Sequence, residues 1–285
     1  MDISVITPFY KGNAYMEGLF ACVRRNALKA PHLKIQLVLV NDSPDCPVSY
    51  DPAWVEGFTL TLIRNEQNSG IHRSRVNGLS AAEGKFIQFL DQDDLLEEDT
   101  FLSQLSYTEN ADVVICNGFD QCPSNHGSIY KSLNHQKQAA TPRFYYHVGN
   151  QIVSPGHCLI RKESIPQAWC AHFMSRNGSD DLLLWLMMFH QNARFAVNPK
   201  VLYTHVDTGE NVSANVSKMV SSSMEVLQIL ENTNMISPAN RRRFIRSRTM
   251  AGDYAGKSKT KKVIALLRYP DVAWHRFKLR NYIKK

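Results

Sequence analysis

Three carboxylates within four residues follow an apolar run and could hold a metal ion. Asp91, Asp93 and Asp94 come directly after Phe86–Leu90. Carboxylates this close repel one another, and Mg²⁺ or Mn²⁺ between them and a diphosphate would offset that repulsion. The alternative is a solvated acidic turn that caps a helix beginning near Leu96, because Asp is favoured at helix N-termini. The run alone leaves both interpretations open.

A second acidic pair, Asp180 and Asp181, opens the apolar helical run Leu182–Gln191. A carboxylate beside another one and against an apolar wall that includes Trp185 should have its pKa raised into the range of a useful proton acceptor. The alternative is an N-cap with an acidic first turn, for which Ser179 before the pair is well suited. The two interpretations are compatible.

The elements that must position these residues alternate between β-branched apolar runs and helical patterns. Five runs predict strands, at Ile3–Thr7, Ile35–Asn41, Phe58–Ile63, Lys85–Leu90 and Asp112–Cys116. Apolar residues at helical spacing predict helices over Tyr15–Leu28 and Gly70–Ala82. This alternation indicates a parallel sheet with crossover helices. Later, 121–138 predicts a loop or weak hairpin, 156–161 and 201–205 predict strands, and helical patterns prevail from 214.

Polar residues follow three of the predicted strands, at Pro8–Tyr10, Asp42–Pro44 and Asp91–Asp94. Ligands of open α/β sheets bind outside the carboxyl ends of the strands, so these clusters should meet in one crevice. For Asp42, the structural alternative is an Asx turn closed by the two residues that follow it.

Five short motifs occur in an order that is typical of one enzyme family. They are Thr7-Pro8-Phe9-Tyr10, Val40-Asn41-Asp42-Ser43, Asn68-Ser69-Gly70 with Arg75 and Gly78, Leu90-Asp91-Gln92-Asp93-Asp94, and Asp180-Asp181 with Leu184-Trp185-Leu186. With these motifs the chain resembles the inverting glycosyltransferases of family 2 over residues 1–206. The resemblance implies a GT-A fold: an α/β, Rossmann-like, mixed and mainly parallel sheet flanked by helices. It also implies a catalytic domain over 1–210 and a basic helical extension over 211–285.

The resemblance implies roles for individual residues. The donor would be a UDP-sugar, and its nucleotide would contact Thr7, Pro8, Tyr10, Asp42, Asn68, Arg75 and Asp91. Mn²⁺ or Mg²⁺ would be held by Asp93, Asp91 and His205. The acceptor side would include Gly156, His157, Asp180 and Trp185. Asp181 would be the general base that takes the proton of an acceptor hydroxyl as it attacks the anomeric carbon with inversion.

Some of these assignments have alternatives. Ser74 and Val76 stand where the family usually has Ala and Asn, and Asp180 replaces Glu. Arg75 could pair with a carboxylate of the acidic run instead of contacting the donor. Asp94 is expected to support a helix start, and a lone His205 at a strand end could equally be structural.

The charge of the chain is divided unevenly. From residue 241 onward there are 15 lysines and arginines against two aspartates, which leaves 18 against 24 in residues 1–240. The segment 257–285 alternates cationic and apolar groups, a pattern that suits the headgroup layer of an anionic membrane. The alternative is a helical appendage with a solvated basic face. Nucleic-acid binding is not expected, because no recognised module is present.

Composition and length narrow the class further. The chain is 44% hydrophobic and 21% charged, values typical of a folded globular protein. Its six cysteines form no C-x-x-C pair, so reduced thiols are expected. No signal peptide or membrane-spanning run is visible, and the Gln-x-x-Arg-Trp motif of processive relatives is absent.

The sequence therefore predicts a non-processive, cytoplasmic glycosyltransferase, peripheral to the inner face of the plasma membrane. Its acceptor would be a surface glycan or lipid-linked oligosaccharide. The alternatives are a sugar-phosphate nucleotidyltransferase and a non-enzymatic glycan- or nucleotide-binding module. Against the nucleotidyltransferase, the segment Pro8–Gly12 stands where such enzymes usually have a glycine-rich basic loop. No oligomeric state is predicted.

Overall fold

The computed structural model describes residues 1–122, 126–209, 215–254 and 258–284. This part of the chain divides into two compact units. The first contains 1–129, 154–165 and 193–209, and the second contains 130–153, 166–192 and the described residues from 215 on. These bounds differ from a division at residue 210, so the catalytic domain over 1–210 stays a prediction.

All strands of the described ranges belong to one mixed sheet in the first unit. They are β1 (Ile3–Phe9), β2 (Ile35–Asn41), β3 (Thr59–Arg64), β4 (Phe86–Phe89), β5 (Leu95–Leu96), β6 (Val113–Asp120), β7 (Gly127–Ser128), β8 (Cys158–Arg161) and β9 (Phe195–His205). Their order is β3-β2-β1-β4-β8-β6-β9-β5, and β7 pairs with β6. The first four positions are parallel, whereas β8 runs antiparallel to both β4 and β6. The predicted α/β sheet is thus confirmed.

The first unit has three α-helices in the described ranges, and the apolar spacing of the sequence predicts the first two. The three helices are α1 (Met16–Lys29), α2 (Ile71–Ala81) and α3 (Thr100–Leu105). In α1 the apolar side chains at helical spacing, such as Leu19 and Val23, are buried. All seven residues of β2 are buried, as expected for a parallel strand covered on both faces.

The helix expected near Leu96 is a short strand instead. Leu95 and Leu96 pair antiparallel with Thr204 and Tyr203 of β9, and α3 begins only at Thr100. Backbone pairing with the edge of β9 and full burial of Leu96 outweigh the local preference of an acidic run for a helix start. The expectation that Asp94 supports a helix start is therefore wrong.

The strands β6 and β9 are both longer than predicted. They pair in parallel from Val113 with Phe195 to Asp120 with His205, and the register shifts around Asn117. Such irregularities interrupt the alternation of residues between the two faces of the sheet, so the sequence pattern does not predict the full length of either strand. The loop or weak hairpin expected over 121–138 is only partly present: Phe119 and Asp120 pair with 127–128, but Leu133–Ala139 forms a helix. Residues 123–125 lie outside the described ones.

The second unit is helical in the part that the structure describes. Its helices are α4 (Leu133–Ala139), α5 (Arg143–His147), α6 (Gln167–Ala171), α7 (Asp180–His190), α8 (Val216–Asn232), α9 (Pro238–Tyr254), α10 (Lys259–Arg268) and α11 (Pro270–Lys284). The helix α7 is buried from Asp180 to Met188, and α9 contacts α5, α8, α10 and α11. None of the described helices combines the length and the apolar character that a bilayer crossing requires.

We predict that Gly78→Ala destabilises the first unit. A Cβ at this position of α2 would overlap Cγ2 of Ile6 and come within 3.1 Å of Cγ2 of Val40. Because both partners lie in packed strands, we expect the free energy of unfolding to fall by about 1–3 kcal/mol. The matched control is Gly18→Ala in α1, where the nearest atom is Cδ2 of Leu95 at 3.7 Å. This variant should gain up to about 1 kcal/mol from helix propensity. Equal urea midpoints for both variants would contradict the close packing of α2.

Candidate active site

The carboxyl ends of β1, β2 and β4 meet at one edge of the sheet. Lys11 donates its backbone N–H to Oγ of Ser43 at 3.0 Å, which joins the end of β1 to that of β2. Tyr10 donates its backbone N–H to Oε1 of Gln92 at 3.0 Å, which joins β1 to the acidic run after β4. The three polar clusters of the sequence therefore converge, as predicted.

Asp42 is buried and organises the loop before α2. Its carboxylate accepts hydrogen bonds from Nδ2 of Asn65 at 2.8 Å, from the backbone N–H of Ser69 at 2.7 Å and from that of Gly70 at 2.9 Å. The Asx turn at this strand end is made by Asn41, which accepts the backbone N–H two residues later at 2.8 Å. Asp42 thus holds the N-terminal end of α2 in place.

The other residues expected to bind a nucleotide differ in accessibility. Tyr10 is exposed, and Pro8 is partly exposed. Asn68 is exposed too, and its Oδ1 accepts the backbone N–H of Gly70 at 3.1 Å. Thr7 is fully buried within β1, and its hydroxyl has no hydrogen-bond partner among the described residues. The structure therefore does not present the Thr7 side chain to a ligand.

Arg75 and Asp91 form an ion pair that neutralises the first carboxylate of the acidic run. Nη2 of Arg75 lies 2.5 Å from Oδ1 of Asp91, and the Arg75 side chain is only 3% exposed. Oδ2 of Asp91 lies 3.5 Å from Oγ of Ser154. The pairing that the sequence allowed for Arg75 is thus present.

Asp94 is neutralised by residues of β9. Its buried carboxylate accepts hydrogen bonds from the hydroxyl of Tyr203 and, at 3.1 Å, from the backbone N–H of Val206. Nδ1 of His205 lies 3.1 Å from Oδ1 of Asp94. Burial by itself would lower the pKa of His205, but its hydrogen bond and charge interaction with Asp94 outweigh burial and raise that pKa to about 9. Burial raises the pKa of Asp94 as well, so the two groups hold a proton between them in the metal-free protein.

Asp93 is the member of the run that has no ion-pair partner among the described residues, although the charge of His205 offsets part of its own. No lysine, arginine or histidine of the described ranges lies within ion-pair distance of its carboxylate. Burial, followed by the negative charges of Asp94 and Asp91, raises the pKa of Asp93 to about 6. A partly buried carboxylate in a negative field is a good position for a cation.

The donor atoms near His205 fit a hard divalent ion. Asp94 engages Nδ1 of His205, an arrangement common among metal-bound histidines, and a divalent ion on the other ring nitrogen would take the place of a proton. Ligand atoms of Asp120, Cys122 and His205 lie within 4.8 Å of one another. Burial and the charge of Asp120 raise the pKa of the Cys122 thiol to about 11, so carboxylate and imidazole are the suitable donors here.

Asp120 is a candidate ligand that the sequence analysis missed. It pairs with His205 in the parallel register of β6 and β9. The available signal was an acidic residue at a strand end, but the predicted strand stopped at Cys116, four positions before Asp120.

The two acceptor-side candidates of the first unit have packing roles. His157 is fully buried, with Nδ1 2.9 Å from the carbonyl oxygen of Cys116, and burial lowers its pKa to about 4. A Cβ at Gly156 would lie 2.7 Å from the ring of Tyr203. Both residues therefore support Tyr203, and the position of His157 in the core corrects the expectation that it faces an acceptor.

The candidate base lies in the second unit, in the first turn of α7. Oδ2 of Asp181 accepts a hydrogen bond from Nδ2 of Asn150 at 2.6 Å, and Oδ1 accepts one from the backbone N–H of Leu182 at 2.7 Å. Ser179 makes no side-chain capping bond to α7. Asp181 keeps 8% exposure, and its orientation is set by Asn150.

Asp180 and Trp185 belong to the core of the second unit. Both are buried, and the backbone carbonyl of Asp180 accepts a hydrogen bond from Nε1 of Trp169 at 2.9 Å. They hold α7, and with it Asp181, in place.

The geometry and the motif order agree with a comparison to protein families. Residues 4–169 match the model of glycosyl transferase family 2. The chain belongs to this family. The matched range includes the acidic run after β4 and ends before the acidic pair of α7.

Among curated members of glycosyl transferase family 2, similarity is local. The minor teichoic acid biosynthesis protein GgaB of Bacillus subtilis is 35% identical over 108 residues, which are 37% of this chain and 12% of that protein. Glycosyltransferase GlyG of Streptococcus pneumoniae is 29% identical over 197 residues, 63% of this chain and 62% of GlyG. The matched part thus spans less than two thirds of either relative.

Solved structures show the same GT-A fold. TarS 1-349 of S. aureus, crystallised with UDP-GlcNAc, matches with a TM-score of 0.63 at 19% identity, over 95% of this chain and 81% of that one. The mannosyltransferase PcManGT of Pyrobaculum calidifontis, in complex with GDP-Man and Mn²⁺, matches with a TM-score of 0.52 at 16% identity, over 99% and 84%. The predicted GT-A fold is confirmed.

We predict opposite stability effects for neighbouring carboxylates. In metal-free protein at pH 7.5, Asp93→Asn should raise the free energy of unfolding by about 1–2 kcal/mol, because the raised pKa of Asp93 means that its charge opposes folding above pH 6. Asp94→Asn should lower it by about 3–5 kcal/mol, because the partly buried His205 and the hydroxyl of Tyr203 lose the carboxylate that both contact. Urea unfolding in EDTA measures both, with the exposed Glu109→Gln as the control. A loss of stability in Asp93→Asn would contradict the raised pKa of Asp93.

Proposed function

We propose that the chain transfers a sugar from a nucleotide-sugar donor, a UDP-sugar, to an acceptor hydroxyl with inversion, in a reaction that depends on Mn²⁺ or Mg²⁺. The observation that carries the proposal is the partly buried Asp93, without an ion-pair partner among the described residues, where the ends of β1, β2 and β4 converge. A UDP-sugar is the donor class because the TarS structure of the same fold contains UDP-GlcNAc.

The donor nucleotide lies against the ends of β1 and β2 in this proposal. The exposed ring of Tyr10 and the neighbouring Pro8 provide a stacking surface for the base. Asn68 lies on the loop that Asp42 holds, so Asp42 positions donor contacts from within the protein. Arg75 acts through its ion pair, which fixes the orientation of Asp91.

The metal site combines Asp93 and His205, with Asp120 as the additional carboxylate. A bound divalent ion would neutralise negative charge on the diphosphate leaving group. Asp94 keeps His205 oriented through Nδ1. Asp91 is the least suitable of the predicted ligands, because Arg75 already neutralises it.

Asp181 is the general base in this proposal. As the acceptor oxygen forms a bond with the anomeric carbon, the bond from that carbon to the diphosphate oxygen breaks, and the acceptor proton passes to Asp181. Asn150 and the N–H of Leu182 each donate to one carboxylate oxygen, so the group is held in one orientation. The acceptor class is a surface glycan or a lipid-linked oligosaccharide.

Activity assays with a panel of UDP-sugars, Mn²⁺ and candidate acceptors test the reaction. We expect Asp181→Asn to reduce turnover about 10²–10⁴-fold with donor affinity unchanged, because it removes only proton transfer. Asp93→Asn should abolish the Mn²⁺ dependence of donor binding, measured by calorimetry. Glu109→Gln removes an exposed carboxylate and serves as the control.

Three outcomes would contradict the proposal. Wild-type turnover in Asp181→Asn would exclude it as the base. Formation of a nucleotide sugar from a nucleoside triphosphate and a sugar phosphate would establish a nucleotidyltransferase instead, and Mn²⁺-independent donor binding without turnover would indicate a binding module.

We further propose that α10 and α11 dock on an anionic lipid surface. Leu267 is 75% exposed, and the exposed rings of Trp274 and Phe277 stack with centroids 5.8 Å apart. Arg268 and Arg280 are exposed on the same two helices. Apolar and aromatic anchors among cations are typical of interfacial helices.

The sequence also allowed that this segment is a helical appendage packed on the rest of the protein. The structure shows such packing on another face of the same helices. Val272 is fully buried, and the backbone carbonyl of Tyr282 accepts a hydrogen bond from Oγ of Ser132 at 2.6 Å. Packing on one face therefore leaves the exposed apolar residues for a membrane. Lys257 and Lys285 lie outside the described residues, as do the side chains of Lys259, Lys261 and Lys284.

Sedimentation with phosphatidylserine vesicles tests membrane docking. We expect binding at low salt that weakens at high salt, because charge attraction is screened. The double variant Trp274→Ala, Phe277→Ala should lose about tenfold in partitioning, through the loss of buried apolar area. The control Leu62→Ser changes an exposed apolar residue of the first unit and should bind normally. Absence of the wild type from anionic vesicles at every salt concentration would count against docking.

A further inference from the structure

Arg248 is a buried cation of the second unit that the proposed reaction does not use. It lies within α9 and is 5% exposed. Nη1 donates to the carbonyl of Val148 at 3.3 Å and to Oγ of Ser247 at 3.1 Å, and Nη2 donates to the carbonyl of Tyr145 at 3.3 Å. Its Nε has no hydrogen-bond partner among the described residues.

No carboxylate of the described residues neutralises this guanidinium. The charged group that acts on Arg248 is another cation, Arg276. Burial, and then the charge of Arg276, lower the pKa of Arg248 to about 10, which leaves it charged at neutral pH. Its guanidinium lies 4.3 Å from the ring centroid of Phe244, but a ring face compensates only part of a full charge. The buried Arg75, by contrast, has Asp91 as its partner.

Capping of α5 explains part of the geometry of Arg248. The carbonyls of Tyr145 and Val148 lie at the C-terminal end of α5, where cations are favourable. Carbonyl oxygens carry partial charges, however, and they engage only the two Nη atoms. The net positive charge and the Nε donor are left over.

Arg248 lines a cavity of the second unit. The cavity has a volume of about 200 Å³ and lies entirely within the second unit. Its polar lining includes Asn150, Ser179 and Ser223, and Leu182 contributes an apolar wall. Ser223 donates its hydroxyl to the carbonyl of Met219 and Asn150 donates to Asp181, so the guanidinium is the group of the lining that is suited to a carboxylate or phosphate.

The cavity adjoins the candidate base. Asn150 lines it and donates its amide N–H to Asp181 at 2.6 Å. Ser179 and Leu182, which precede and follow the acidic pair of α7, line it as well. A ligand in this cavity would therefore be held next to the group that accepts the acceptor proton.

We propose that the Arg248 cavity binds an anionic group, a phosphodiester or a carboxylate, of the acceptor glycan. The identification of the ligand as an acceptor rests on the proposed function, whereas anion binding itself does not. The acceptor is then a negatively charged glycan, such as one with phosphodiester links or uronic acid units. Arg248 is a specificity-determining residue that neutralises this group.

Calorimetric titration separates the two anion classes. Dimethyl phosphate and glucuronic acid are titrated into the full chain with the donor site saturated by UDP and Mn²⁺, and glucose serves as the neutral probe. We expect one of the anions to bind, and Arg248→Met to weaken it at least about tenfold, because a charge-assisted contact is lost. Arg248→Lys should retain part of the affinity. Selective loss of dimethyl phosphate binding identifies a phosphodiester, and selective loss of glucuronic acid binding identifies a carboxylate.

Two further variants distinguish a loss of anion binding from a loss of folding. Arg242→Met removes the same charge from the exposed face of α9 and should bind like the wild type. Val220→Phe narrows the cavity without a change of charge and should weaken binding, with circular dichroism reporting the fold of each variant.

Three results would overturn the proposal. They are no binding of either anion to the wild type, equal affinity in Arg248→Met, and equal loss in Arg242→Met. Because these titrations require no turnover, they distinguish a failure of the anion site from a failure of the proposed transferase reaction.

Discussion

Repulsion among the three carboxylates that follow β4 is the constraint on which the first unit depends. Arg75 neutralises Asp91 from α2, whereas Asp94 receives its compensation from β9, through Tyr203 and His205. A helix and a strand on different sides of β4 are therefore tied to one short acidic segment. The remaining carboxylate, Asp93, lies where the ends of β1, β2 and β4 converge and where the proposed cation would bind.

Close packing of the first unit sets the position of these charges. Tyr203 links the packed core to the acidic run. Its hydroxyl donates a hydrogen bond to Asp94, and its ring stacks on that of His157 with ring centroids 5.4 Å apart. Gly156 lets the ring approach, and Gly78 lets α2 carry Arg75 close to the sheet. Small residues at these contacts thus determine where the charged groups lie.

The second unit also buries charged groups that hydrogen bonds hold in place, Asp181 and Arg248. One carboxylate oxygen of Asp181 accepts a hydrogen bond from the amide of Asn150, and the apolar helix α7 holds the residue in place. Arg248 is as deeply buried as Arg75, but it has hydrogen bonds to carbonyls in place of a carboxylate. A buried charge without a partner is costly, so its persistence beside a cavity points to a ligand.

The sequence by itself determined the local features of this protein. Both bounds of β2, the crossover helices and the meeting of polar clusters at one sheet edge follow from apolar spacing and from strand ends, which are properties of neighbouring residues. Only the tertiary structure decided that Leu96 is in a strand, that Asp94 contacts His205, and that Asp120 lies near His205. These outcomes depend on pairing with β9, a strand about 100 residues further along the chain, which no local pattern encodes.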